Sequence, residues 1–134
     1  MSDTALADQF GQVDIYLFDQ LLRQRITTDM TVLDAGCGNG RNLTYLLQRG
    51  CRTYGVDASV RAVATTRELA SRLSPGTPPD HFRTESLDAI SFDNNVFDAV
   101  ICSAVLHFAD GRDHFDRMVD EVWRVLAPGG FLFT

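Results

Sequence analysis

Residues 32–40 read VLDAGCGNG, and this stretch decides the fold. A short apolar run, which predicts a buried strand, enters a turn that contains Gly36, Gly38 and Gly40. Glycine lets the backbone approach a ligand closely because it has no Cβ. The spacing is G-x-G-x-G and differs from the G-x-G-x-x-G of dinucleotide-binding folds. Asp34 adds a second difference, since a carboxylate two residues before the first glycine repels a pyrophosphate and suits a cationic amine.

The remaining sequence alternates short apolar runs with runs of helical periodicity, which is typical of a parallel sheet flanked by helices. We predict five strands, at residues 31–35, 52–57, 81–85, 97–103 and 131–134. Helices are predicted at residues 13–26, after the glycine-rich turn, after Ser59 as its N-cap, and at residues 110–126. The first helix is predicted to bury the side formed by Ile15, Phe18, Leu21 and Leu22. We divide the chain into an N-terminal helical segment, residues 1–30, and a ligand-binding core, residues 31–134.

The bulk composition restricts the partners and the compartment. The net charge is −6, and the 12 basic residues are all arginines scattered along the chain. This distribution disfavours a nucleic-acid partner, although a local patch could still bind one. No stretch approaches the roughly 20 apolar residues of a membrane span, and the start, residues 1–4, lacks the features of a signal peptide. We therefore expect a cytoplasmic protein with no membrane contact.

The three cysteines are Cys37, Cys51 and Cys102. Their number is odd and no Cys-x-x-Cys spacing occurs, so the sequence predicts neither a disulfide framework nor a metal site. All three lie in apolar or glycine-rich runs, which favours buried, reduced thiols.

Asp57 ends the predicted second strand, 21 residues beyond Gly36. In nucleotide-binding α/β folds, an acid at this point accepts hydrogen bonds from both ribose hydroxyl groups. The alternative is that Asp57 caps the following helix, a role for which Ser59 competes. We favour the ribose role because the spacing matches the Rossmann pattern.

Together these residues resemble class I S-adenosylmethionine-dependent methyltransferases. The resemblance covers residues 31–134 and is carried by four motifs in the family's order: LDAGCGNG, GVDAS, FDAVICSAVLHF and VWRVLAPGGFLF. Within the family, residues 36–42 are most similar to tellurite-resistance-type and related small-molecule methyltransferases. The resemblance implies a Rossmann-like, doubly wound, mainly parallel sheet of order 3-2-1-4-5 with helices on both faces. It lacks the last two of the family's seven strands, so we expect a fragment, or a fifth-strand edge covered by a partner such as a second copy.

The resemblance implies S-adenosylmethionine as the cofactor. Asp34 would contact the methionine amino group, and Ser103 would offer its backbone carbonyl to the same amine. Gly36 and Gly38, with Cys37 between them, would let the backbone pass beside the methionine and ribose portions.

The adenosine portion has its own residues in the resemblance. Asp57 would accept the ribose hydroxyl protons, and Ala58 would lie against the adenine. The family often has an acid for the adenine amino group where this chain has Ser86 and Leu87. The backbone amide of Leu87 could read the ring, or a neighbouring acid could take the role, either Glu85 or Asp88.

His107 follows the fourth predicted strand and is the candidate catalytic residue, although we favour a structural role for it. The predicted function is methyl transfer from S-adenosylmethionine to an unidentified acceptor, a small molecule by resemblance. An inactive or partner-dependent fragment that binds the cofactor is the alternative. An NAD-type oxidoreductase would require G-x-G-x-x-G and no acid at Asp34. A purely structural α/β domain would leave Asp34, the glycines and Asp57 coincidental.

Overall fold

The computed structural model describes residues 9–103 and 105–134. These residues form a parallel five-stranded sheet of order β3-β2-β1-β4-β5, as predicted. Its strands are Thr31–Ala35 (β1), Arg52–Asp57 (β2), Phe82–Thr84 (β3), Phe97–Ile101 (β4) and Leu126–Phe133 (β5). The helices are Ile15–Leu22 (α1), Thr44–Gln48 (α2), Val60–Leu73 (α3) and Arg112–Val125 (α4). Short 3-10 turns lie at Pro79–His81 and Leu106–Phe108.

Helices cover both faces of the sheet, and the alternation of side chains along the strands separates two cores. Val32 of β1 packs with buried residues of α1, α2 and α3. Leu33, the next residue, packs on the other face with buried residues of α4. Leu17 of α1 belongs to the same cluster as Val32. The segment before β1 therefore contributes to the core, and the predicted division after residue 30 stays a prediction.

The first helix buries a side other than the predicted one. Leu17 is fully buried, whereas Ile15 and Leu22 are 74% and 67% exposed. The carboxylate of Asp14 accepts hydrogen bonds from the backbone N–H groups of Tyr16 and Leu17 and thereby fixes the first turn. This N-cap sets where the helix begins and which side of it meets the sheet.

The fifth strand also differs from the prediction. It begins at Leu126, which pairs with Phe97, because α4 ends one residue earlier. The pairing then shifts register before Phe131 pairs with Ala99. The proline and glycines at residues 128–130, which predicted a turn ahead of the strand, lie within this irregularity.

The remaining predictions on the fold concern the cysteines and the membrane. The three cysteines are buried and free, as predicted. Within the part of the chain that the structure describes, no helix has the length and apolar character to cross a bilayer. The first residues, on which the signal-peptide prediction rests, lie outside the described residues.

Candidate functional site

A cavity of about 510 Å³ lies where the carboxyl ends of β1, β2, β3 and β4 meet. Its volume falls within the roughly 300–1,000 Å³ that is usual for small-molecule sites. Predicted cofactor residues from four separate segments line it: Gly36, Cys37, Gly38, Asp57, Ala58, Ser86, Leu87 and Ser103. A second cavity, of about 460 Å³, surrounds residues before β4 and at the start of β5 and contains none of the predicted residues.

The glycine-rich turn is held against β2. The N–H groups of Gly36 and Cys37 both donate to the carbonyl of Val56, at 2.7 and 2.9 Å. Gly36 has φ +83°, and a Cβ there would lie 2.6 Å from Cγ2 of Val105. Gly38 has φ +55°, and a Cβ there would have no heavy atom within 4 Å. A side chain at Gly36 would therefore collide with the loop after β4, whereas one at Gly38 would occupy open space.

Asp57 joins the turn to the helix that follows β2. Its Oδ2 accepts a hydrogen bond from Gly38 N, and its Oδ1 accepts one from Ser59 N, both at 2.9 Å. Ser59 caps α3, since its Oγ accepts from Ala62 N at 3.2 Å. A carboxylate offers about four lone-pair sites, so Asp57 retains acceptor capacity beside the cavity.

Asp34 lies at the end region of β1 and is only 2% exposed. Burial raises the pKa of its carboxyl to about 7, with the positive charge of Arg41 lowering it and the negative charge of Asp57 raising it. Asp34 is not among the residues that line the cavity. Arg41 and Asp57 do line it, so the buried acid interacts electrostatically with the wall of the cavity.

Cys37 also lines the cavity but is unsuited to act as a nucleophile. Burial, with a smaller contribution from the charge of Asp34, raises the pKa of the Cys37 thiol to about 12. The thiol is therefore protonated at neutral pH, and a protonated thiol is a poor nucleophile.

The turn after β3 contains the residues at which the adenine contact is predicted. Oε1 of Glu85 accepts a hydrogen bond from Ser91 N at 3.0 Å and is engaged within the turn. Asp88 accepts a hydrogen bond from the Ser86 hydroxyl, and its Oδ2 lies 3.4 Å from Nε of Arg117. Ser86 and Leu87 line the cavity, whereas Glu85 and Asp88 do not.

Ser103 connects the end of β4 with the segment before α1. Its hydroxyl donates to Oδ2 of Asp14 at 3.1 Å. The N–H of Asp14 donates to Oδ1 of Asn42 at 2.9 Å, and Asn42 and Ser103 both line the cavity. Asp14 thus fixes two parts of the cavity wall and the N-terminus of α1 together.

The histidines are placed differently from the prediction. His107 is exposed, its ring centroid lies 4.1 Å from that of Phe108, and it does not line the cavity. Phe108 and His114 do line it. The pattern of α4 could have revealed His114, because it lies one turn before the buried Met118, another lining residue.

Asp14 is the other residue that the sequence analysis missed. An Asp directly before an amphipathic helix is a usual N-cap signal, and this signal was available in the sequence. Its contact with Ser103 joins positions 89 residues apart, and no local pattern predicts such a contact.

Comparisons with known proteins identify the nearest groups of relatives. A family profile described as a methyltransferase domain matches residues 33–134. The malonyl-[acyl-carrier protein] O-methyltransferase of Enterobacter lignolyticus is 31% identical over 101 residues, which is 75% of this chain and 36% of the relative. The chain therefore spans little more than a third of that relative's length.

Solved structures show the same likeness. A structure described as that of SAM-dependent methyltransferases, from Methanosarcina mazei, matches with a TM-score of 0.70 and 29% identity, over 84% of this chain and 54% of that one. A sugar N-methyltransferase from Streptoalloteichus matches with a TM-score of 0.67 and 26% identity, over 92% of this chain and 47% of that one.

Proposed function

This chain belongs to the family of class I S-adenosylmethionine-dependent methyltransferases, and on that premise we propose that it binds S-adenosylmethionine and transfers its methyl group to a small molecule. The proposed binding site is the cavity at the carboxyl ends of β1 to β4. One observation carries the proposal: residues predicted from four separate segments of the sequence line this single cavity.

The cavity wall fits the ribose and methionine portions of the cofactor. Asp57 is held by Gly38 N and Ser59 N and keeps lone pairs for the two ribose hydroxyls. The open space at Gly38 leaves room for a ligand against the backbone. The methionine portion carries an ammonium group, and a negative charge on Asp34 would attract it from beneath the turn. In this proposal the carbonyl of Ser103 accepts from the same ammonium.

Apolar residues complete the site. Ala58 and the buried Leu87 line the cavity from the ends of β2 and β3, where the adenine would lie between them. Val105, Phe108 and Met118 line it from the side of β4 and α4 and would exclude water from the reacting atoms.

The bound cofactor supplies a methyl group that is already activated by the sulfonium, so the protein contributes mainly alignment and dehydration. This reaction requires no acid–base residue unless the acceptor must lose a proton. The assignment of His107 to catalysis stays a prediction, and its exposed position beside Phe108 is consistent with the structural role that we favour.

We further propose a small-molecule acceptor, in line with the sugar named for one solved relative. Within the described residues, β5 pairs with β4 alone, and a second copy of the chain is the proposed partner for its other edge. The scattered arginines continue to disfavour nucleic acid, and the cytoplasm is the proposed compartment.

Calorimetric titration with S-adenosylmethionine, S-adenosylhomocysteine and NADH tests the proposal. We expect the first two to bind and NADH not to bind. Asp57→Ala removes the ribose acceptor and should weaken binding by about 10-fold or more. Gly38→Ala places a methyl group in the open space and should weaken binding as well.

Gly50→Ala is the matched control for Gly38→Ala. Both glycines have positive φ, +74° at Gly50 and +55° at Gly38, and both Cβ positions are open, but Gly50 lies outside the cavity. Both variants should lose about 1 kcal/mol of stability, and only Gly38→Ala should lose affinity. Equal affinities for the two variants, or no binding by the folded wild type, would contradict the proposed site. Binding without methyl transfer to any acceptor would favour the alternative of an inactive or partner-dependent protein that holds the cofactor.

A further inference from the structure

The turn after β3 places a hydroxyl group at the cavity and a carboxylate behind it. Ser86 lines the cavity, and its hydroxyl is hydrogen-bonded to Oδ1 of Asp88, which does not line it. Two side chains of α4 approach the other oxygen of Asp88. Nε of Arg117 lies 3.4 Å from Oδ2, and Nε2 of His114 lies 3.8 Å from it.

These contacts keep Asp88 ionised and define the position of the Ser86 proton. The hydrogen bond from Ser86 is the main cause that lowers the pKa of the Asp88 carboxyl, with Arg117 and His114 acting in the same direction. An ionised carboxylate can only accept hydrogen bonds, so the hydroxyl of Ser86 must donate its single proton to it. The oxygen of Ser86 then retains lone pairs and is left as an acceptor.

His114 supports the same arrangement from α4. Its Nδ1 accepts a hydrogen bond from Asp110 N at 2.9 Å, so in the neutral ring the proton lies on Nε2. Nε2 is the atom that faces Asp88. His114 therefore presents a proton to Asp88 in both its neutral and its charged form.

We propose that Ser86, held by Asp88, makes the cavity selective for a purine that carries an exocyclic amino group over one that carries an oxo group. This inference rests on the proposed function, because it concerns the base of the cofactor in the same cavity. A hydroxyl oxygen with its proton directed at Asp88 accepts a hydrogen bond from the N–H of an amino group. It faces an oxo group with lone pairs on both sides, which leaves two polar atoms unpaired. Asp88 acts as a positioning residue, since it orients Ser86 and does not line the cavity.

The test compares two ligands that differ only at this group: S-adenosylhomocysteine and its analogue with hypoxanthine in place of adenine. Calorimetry on the full chain gives the ratio of their dissociation constants. For the wild type we expect the adenine ligand to bind about 10-fold to 100-fold more tightly. Ser86→Ala should bring the ratio close to one, while Ser86→Thr, which keeps the hydroxyl, should preserve it. Asp88→Asn should lower the ratio severalfold, because an amide can donate to Ser86 and turn its proton away.

Ser71→Ala is the control for loss of a serine hydroxyl elsewhere, because Ser71 is exposed on α3 and donates to the carbonyl of Glu68. It should leave both affinities unchanged. If both ligands bind and Ser86→Ala keeps the wild-type ratio, the inference is wrong while the proposed function stands. A changed ratio in Ser86→Ala with no change in Asp88→Asn would remove the role of Asp88. Failure of the folded wild type to bind either ligand would overturn the proposed function and this inference together.

Discussion

At the scale of single residues, Asp34 is the most unusual group of the molecule. A carboxylate that is 2% exposed has lost most of its hydration, and this loss raises the pKa to about 7. A cationic ligand above the turn would favour the ionised form and so recover part of that cost on binding. The acid thus opposes folding of the ligand-free protein near neutral pH and is suited to a positively charged ligand.

The pH dependence of stability tests this account of Asp34. The folded-state pKa of about 7 lies above the value of 3.8 in the unfolded chain, so the folded state binds more protons between these two values. The free energy of unfolding should therefore fall as the pH rises from about 4 to about 7, by an amount on the order of 4 kcal/mol. Urea denaturation of the wild type and of Asp34→Asn across this range isolates the contribution, because all other carboxylates titrate in both proteins. Parallel curves for the two proteins would show that Asp34 does not titrate in this window.

At the scale of elements, α1 depends on one residue that also contacts the cavity wall. Asp14 caps the helix through the N–H groups of Tyr16 and Leu17, and it bonds Ser103 and Asn42. The buried Leu17 follows directly, so the cap and the packing of α1 on the sheet are coupled.

Asp14→Ala should therefore destabilise the fold by about 1–2 kcal/mol, through loss of the cap and of the bond to Ser103. Asp19→Ala is the matched control. It removes the same charge from the same helix, but its partner Arg23 is exposed and the ion pair contributes little. The free energy of unfolding from urea titration should fall clearly for Asp14→Ala and by less than about 0.5 kcal/mol for Asp19→Ala. Equal losses in the two variants would assign the effect to net charge.

The same elements show how far the sequence predicts the structure. The strand-turn-helix around Gly36 and the acid at Asp57 follow from local patterns, because apolar alternation and glycine spacing are properties of consecutive residues. The strand order and the cavity follow from placing those units in one parallel sheet. The contact of Asp14 with Ser103 depends on how distant segments pack. The start of β5 at Leu126 was also missed, since its register with β4 is set across the sheet.

At the scale of the whole molecule, the sheet divides the core in two and carries the cavity at one end. The side chains of α4 pack on one face, and those of α1, α2 and α3 pack on the other. Order along the sheet places β5 at an edge. Within the described residues that edge has no hydrogen-bonded neighbour beyond β4, and unpaired edges of apolar strands tend to pair with another chain.

The proposed homodimer can be tested by one substitution at this edge. Cys102 N donates to the carbonyl of Phe133, so Phe133 faces β4, and the neighbouring Leu132 directs its N–H and C=O groups to the open edge, because these groups alternate along a strand. Leu132→Pro should remove an outward N–H without breaking the pairing to β4 and should shift the dimer seen by light scattering towards monomer. Leu132→Ala loses similar packing but keeps the N–H, so it should remain a dimer. A monomeric wild type, or equal dissociation of both variants, would rule out pairing through β5.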